Sequence, residues 1–243
     1  MKKKYTHIFF DLDNTLWDFE QNSQIAMQKT LSHFKLNEKG IGFESFYDSY
    51  SIHNKKLWCE YRDGKVVKKE LKELRFEQTF KELGITGIDP LEMNLFYLTE
   101  MPFQKKLVEG AVELLDYLTS KGYQLFIITN GFREVQYKKL EASGLKPFFT
   151  KVFISEDVKA PKPSPEIFEY AIKSANARKK SSLMIGDDPD VDILGALNFG
   201  IDAVLVDSGK HHTGRFTAQM NFFKDKFYVV NSLLELVSLL TPG

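Results

Sequence analysis

Cysteine is all but missing from this chain: Cys59 is the only one in 243 residues. No internal disulfide is available, so the fold must hold by packing alone, as suits a reducing, cytoplasmic compartment. Standing alone, Cys59 reads as a packing residue. An excess of charge of either sign is also missing, since 33 basic residues balance 33 acidic ones. That balance argues against a broad footprint for a nucleic-acid polymer or an anionic membrane surface, and leaves room for a small acidic metabolite. No apolar run approaches the span of a bilayer. The basic start Met1-Lys2-Lys3-Lys4 leads into an apolar stretch that Asp11 interrupts too soon for an export signal. Low-complexity tracts are absent. With 43% apolar and 27% charged residues, the composition is that of a globular protein with a real core, built as one large domain or as a core plus a smaller module. Both a monomer and a homodimer fit these numbers.

What is present begins with Ile8-Phe9-Phe10 running into Asp11-Leu12-Asp13-Asn14-Thr15. A short apolar run that stops in Asp-x-Asp predicts a buried strand delivering two acids to its carboxyl end, where open α/β sheets place their sites. A strand followed by an ordinary Asp/Asn turn is the plainer alternative. Five more segments share the grammar of β-branched or aromatic residues with a polar stop: 124–129, 151–155, 182–185, 203–206 and 227–230. Helical spacing lies between them, as at Ile167, Phe168, Ala171 and Ile172. This alternation predicts right-handed βαβ crossovers, hence an α/β fold with a Rossmann-like, doubly wound parallel sheet. The stretch after the first strand is too long for one crossover. Its helical spacing, at Met27, Leu31 and Phe34 and again at Phe43, Tyr47 and Tyr50, predicts an inserted α-helical cap of about four helices over 18–104, with the core formed by 1–17 and 105–243. Gly40, Gly42, Gly64, Gly84, Gly87 and Asp89-Pro90 mark its breaks. The carboxyl-terminal leucines from Leu233 to Leu240 read as a closing helix.

Three further motifs fall where predicted strands stop. Thr129-Asn130-Gly131 offers a hydroxyl, an amide and flexible backbone to phosphate oxygens, although Asn-Gly is also a common turn. Ala160-Pro161-Lys162-Pro163 presents one ammonium on a stiffened backbone. Gly186-Asp187-Asp188-Pro189-Asp190-Val191-Asp192 packs four acids into six positions, read either as a helix start or as a hard-cation site shared with Asp11. An EF-hand does not fit, because Ile193 stands where glycine is needed and Phe199 where glutamate is needed. His211-His212 reads as a loop pair, and no cysteines stand near it to make a zinc site.

In this order the four motifs resemble those of the haloacid dehalogenase superfamily, over essentially the whole chain. Asn54-Lys55-Lys56-Leu57-Trp58, with Tyr61, Gly64 and Ile128-Thr129-Asn130-Gly131-Phe132, resembles its pyrimidine 5′-nucleotidase branch. The resemblance implies a Mg²⁺-dependent phosphatase acting on a small phosphorylated metabolite, a nucleoside 5′-monophosphate in that branch. Asp11 would be the nucleophile that forms an aspartyl-phosphate, and Asp13 the acid and base, its carbonyl also ligating metal. Asp11, Asp13, Asp187 and Asp192 would hold Mg²⁺, with Asp188 as a rival for the last place. Thr129, Asn130, Gly131 and Lys162 would hold the phosphoryl group. Relatives often carry Ser or Thr at the position of Asp188 and Gly at the position of Lys159. A phosphosugar phosphatase or phosphomutase would share these motifs. A 2-haloacid dehalogenase would not need Asp13, and a non-catalytic binding protein would not need the full set. Trp17, Trp58 and Tyr61 are candidates for stacking on a base, against ordinary packing.

Overall fold

The computed structural model describes residues 5–207, 223 and 225–240. Among them, β1 (His7–Phe10), β2 (Gln124–Thr129), β3 (Lys151–Ile154), β4 (Ser182–Gly186), β5 (Asp202–Val206) and β6 (Phe227–Val230) form one sheet. Its order is β3-β2-β1-β4-β5-β6, and every pairing is parallel. Ile8, Phe9 and Phe10 are all buried, as is every residue of β4 and β5. A strand apolar without alternation needs cover on both faces, which is why helices flank this sheet on both sides. The chain steps outward from β1 to β2 and β3, then returns to lay β4 on the other side of β1. That reversal opens a crevice at the carboxyl ends of β1 and β4.

Between β1 and β2 come α1 (Phe19–His33), α2 (Phe43–Arg62), α3 (Lys68–Leu83), α4 (Pro90–Glu100) and α5 (Ala111–Ser120); α6 (Arg133–Ala142), α7 (Ser155–Val158), α8 (Pro165–Ser174), α9 (Gly195–Phe199) and α10 (Glu235–Leu240) follow. One face of the sheet, with Phe9, Phe126, Phe153, Met184 and Leu205, packs with Ile167, Phe168 and Ala171 of α8 and Ala196 of α9. Phe126 lies between the other two rings, at 5.0 Å from Phe9 and 6.0 Å from Phe153. Each buried phenylalanine contributes about 1.5–3 kcal/mol of transfer free energy.

The chain divides into two compact units, Met1–Phe19 with Lys106–Gly243, and Glu20–Lys105. The second is helical and has a core of its own. Its helices stop where the chain can reverse: the residue after α3, Gly84, adopts φ 66°, and Asp89 caps α4 by accepting from the Leu91 N–H at 2.9 Å. At its centre the buried Arg75 guanidinium donates to Asn94 Oδ1 (2.9 and 2.6 Å) and Asn54 Oδ1 (3.1 Å). Tyr50, Phe76 and Tyr97 surround it with ring centroids 5.5–5.8 Å away. Amide oxygens and ring faces thus replace the water this charge has lost. Trp58 and Tyr61 pack edge to face at 5.6 Å. Cys59, expected inside, is exposed on α2. His211 and His212 lie outside the described residues. No described helix is long and apolar enough to cross a membrane.

Candidate active site

β1 does not release the chain abruptly. The Asp11 N–H still follows the neighbouring strand, donating to the Ile185 carbonyl at 2.9 Å, so the Asp11 carboxylate emerges at the crevice between β1 and β4. The backbone then coils tightly. Asn14 takes φ 61°, a left-handed conformation that asparagine tolerates. Its N–H donates to the Trp17 carbonyl at 2.7 Å, while the Leu16 and Trp17 N–H groups both return to Leu12. Thr15 then donates to Asp187 Oδ1 at 3.2 Å, joining the first motif to the fourth.

Asp187 follows β4, and Asp192 lies on the π-helical turn Pro189–Leu194. A side chain at Gly186 would collide with the Asp192 carboxylate, so glycine is what lets this acid reach the crevice. Asp188 serves differently: its Oδ1 accepts from the Asp190 and Val191 N–H groups at 3.0 and 2.9 Å, capping the turn. Asp11, Asp187 and Asp192 each offer an oxygen, all within 4.8 Å of one another. Asp192, not Asp188, completes that trio.

Lys162 is buried between two of these acids, donating to Asp11 Oδ1 and Asp192 Oδ1 at 2.6 Å each. Its backbone is gripped by Asn130, whose Nδ2 donates to the Lys162 carbonyl at 3.0 Å and whose Oδ1 accepts the Lys162 N–H at 2.8 Å. The Asn130 amide therefore sets the lysine. Lys159, three residues earlier, adopts φ 52°, where glycine would sit freely and a side chain costs about 1–2 kcal/mol. Thr129 Oγ1 accepts the Gly131 N–H at 3.1 Å.

Burial pushes the Asp11 carboxyl up to about 7, with Asp192 and Asp13 adding repulsion and Lys162 opposing. Asp187 is raised well above the carboxylate range by burial and then by Asp11 and Asp192. Burial raises Asp192 also, against the pull of Lys162. For Lys162 itself, burial disfavours the ammonium, but Asp11 and Asp192 more than offset it and the group is raised. With all three ionised, the carboxylates would outnumber the one ammonium by two charges, the charge of one divalent ion. Oxygen donors of this kind suit a hard cation such as Mg²⁺.

Two residues outside the four motifs join the site. Lys139 on α6 donates to Asp13 Oδ1 at 2.6 Å, and Gln136 Nε2 donates to Asp13 Oδ2 at 2.9 Å and to Thr129 Oγ1 at 2.6 Å. Their signal is periodic: Phe132, Val135, Gln136, Lys139 and Leu140 occupy one helical stripe, and polar residues in such a stripe are carried inward. Trp17 is fully buried, its ring 4.3 Å from Lys139 Nζ. Of the two readings of Trp17, base stacking and ordinary packing, the packing against that lysine is what is seen.

A family model described as haloacid dehalogenase-like hydrolase matches residues 5–200. The chain is 35% identical over 217 residues to the pyrimidine 5′-nucleotidase PynA of Streptococcus pneumoniae, covering 88% of this chain and 87% of that protein. It is 33% identical to the pyrimidine 5′-nucleotidase YjjG of Escherichia coli, covering 86% and 88%. Among solved structures, the putative HAD-hydrolase YfnB of Bacillus subtilis, bound to magnesium, superposes with a TM-score of 0.84 at 28% identity, covering 98% of this chain and 99% of that one. Motif spacing, sheet order and the acid trio agree with that match, and the chain belongs to the haloacid dehalogenase-like hydrolases.

Proposed function

We propose that the protein is a Mg²⁺-dependent phosphatase hydrolysing small phosphomonoesters, with nucleoside 5′-monophosphates as its preferred substrates. The observation that carries the chemistry is the convergence of Asp11, Asp187 and Asp192 on one another, with the buried Lys162 ammonium held between Asp11 and Asp192. An Asp11 oxygen attacks phosphorus as the ester P–O bond breaks, giving an aspartyl-phosphate and releasing the alcohol. Asp13 gives its proton to the departing oxygen, then takes one from the water that attacks phosphorus and frees Asp11. Lys162 holds Asp11 in a fixed orientation and adds positive charge beside the phosphoryl oxygens. The Thr129 hydroxyl donates to one of those oxygens, Gly131 leaves room beside it, and Asn130 acts through Lys162. Asp11, Asp187 and Asp192, with the Asp13 carbonyl, would hold Mg²⁺, which when bound neutralises crowded anions and polarises the phosphoryl group. The two pyrimidine 5′-nucleotidase relatives support the substrate class.

Phosphate release from 5′-UMP, 5′-dTMP, 5′-AMP and several sugar phosphates, each with Mg²⁺ and with EDTA, tests both parts. The expected result is hydrolysis only with Mg²⁺, with pyrimidine nucleotides ahead of sugar phosphates by about tenfold or more in kcat/KM. Sugar phosphates in the lead would overturn the substrate class and keep the chemistry. No release from any ester, or full release in EDTA, would overturn the chemistry.

A further inference from the structure

Asp13 is held by two donors that lie outside every motif of the site. Lys139 is fully buried, a costly place for an ammonium unless its partner and surroundings repay the lost water. Its partners are Asp13 Oδ1 at 2.6 Å and the faces of Trp17 and Phe19, with ring centroids 4.3 and 5.4 Å away. An apolar side chain would fill this place without the cost of burying a charge. Lysine there serves the carboxylate in front of it.

Gln136 occupies the neighbouring position of the same stripe, also fully buried. Its amide is oriented with Nε2, and not Oε1, toward the Asp13 carboxylate, as suits an ionised acid. A side chain at Gly131 would overlap the Gln136 amide, which gives that glycine a steric reason. Thr129 Oγ1 accepts from Gln136 Nε2 at 2.6 Å and from the Gly131 N–H at 3.1 Å. Both lone pairs of the hydroxyl are then occupied, and its own proton must be donated elsewhere.

We infer that Lys139 and Gln136 are positioning residues: together they fix the Asp13 carboxyl for proton transfer, and Gln136 turns the Thr129 hydroxyl into an outward donor. This inference rests on the reading of Asp13 as the acid and base. Each Asp13 oxygen has two acceptor directions, and the two donors take one on each, leaving the others for the transferred proton. As the ester P–O bond breaks, that proton passes to the leaving alkoxide, and the Lys139 ammonium faces the carboxylate that results. When water attacks the aspartyl-phosphate, its proton returns to the same carboxylate.

Leaving-group dependence separates this role from a structural one. An alkyl oxygen departs poorly without a proton, whereas p-nitrophenolate departs without one. Lys139→Met is expected to lose about 10²-fold or more in kcat/KM on an alkyl ester such as 5′-UMP and about tenfold or less on p-nitrophenyl phosphate. Lys139→Arg should recover part of the alkyl-ester rate. Gln136→Leu should show the same split, with an added loss common to both esters as Thr129 is released. Asp13→Asn is the control, and thermal melting of each variant with Mg²⁺ reports folding. If Asp13→Asn shows the split while Lys139→Met and Gln136→Leu lose both esters equally, or neither, the inference is overturned. Should Lys139→Met fail to fold, Lys139→Arg and Gln136→Leu decide alone. If Asp13→Asn shows no split, it is the assignment of Asp13 that fails.

Discussion

Asp11→Asn is expected to lower phosphate release from an aryl phosphate by at least about 10³-fold, equivalent to about 4 kcal/mol of transition-state stabilisation. The substitution keeps the shape of the side chain and removes its function. An amide is a poor nucleophile toward phosphorus, and it presents a weaker donor to a hard cation where Asp11, Asp187 and Asp192 meet. Aryl phosphate is the stringent probe here. Its leaving group needs little protonation, so the loss reports Asp11 and not Asp13. The fold should survive, because the amide oxygen of the variant would still accept from Lys162. The backbone N–H at this position would also keep its bond to the Ile185 carbonyl, 2.9 Å long with Asp11 in place. Turnover at the parent rate would remove Asp11 from the chemistry.

Lys162→Met is expected to cost both activity and stability. Removing one preorganised donor at a phosphoryl site typically lowers kcat by about 10²–10³-fold. Removing one partner from a buried ionic cluster destabilises by about 3–5 kcal/mol, since Asp11 and Asp192 are left without their shared cation. The pH dependence has a definite sign. With Asp11 already raised to about 7 and Asp187 and Asp192 raised as well, the native protein holds protons that the unfolded chain has released. Where the native state binds more protons, stability falls as pH rises, here from about 4 through about 7. Loss of Lys162 removes the opposing charge and steepens that fall. Chemical denaturation at pH 5.5 and pH 8, without metal, should therefore show a larger deficit for the variant at pH 8, and Mg²⁺ should recover part of it. An equal deficit at both pH values would mean that Lys162 acts by packing alone.

Much of the sheet could be read from the chain because its strands are fully buried and end in polar residues. The bounds of β2 and β6 agree with the expected segments. β3 is one residue shorter than expected, because Ser155 opens α7 instead of ending a strand. Serine suits both places. The order of the strands was not legible, since pairing depends on crossovers and not on local pattern. At the fourth motif, three acids in alternate positions looked alike from composition. Only the π-helical turn, with Asp188 capping it, turns Asp192 toward the crevice. Lys138 and Lys139 are likewise indistinguishable as residue types; helix phase alone separates them, and a charged stripe is ordinarily taken for a solvated face. Trp17 allowed two readings, a base partner or ordinary packing; it packs, and the lysine it meets comes from α6, far along the chain.

The proposed reaction passes through a covalent bond between Asp11 and phosphorus. Rapid acid quench during turnover of p-nitrophenyl phosphate with Mg²⁺, followed by peptide mass mapping, reads that bond directly. The predicted result is one phosphoryl group on Asp11, absent in EDTA and absent in Asp11→Asn. A phosphoryl group on another side chain, or hydrolysis at full rate with none on the protein at any quench time, would contradict it.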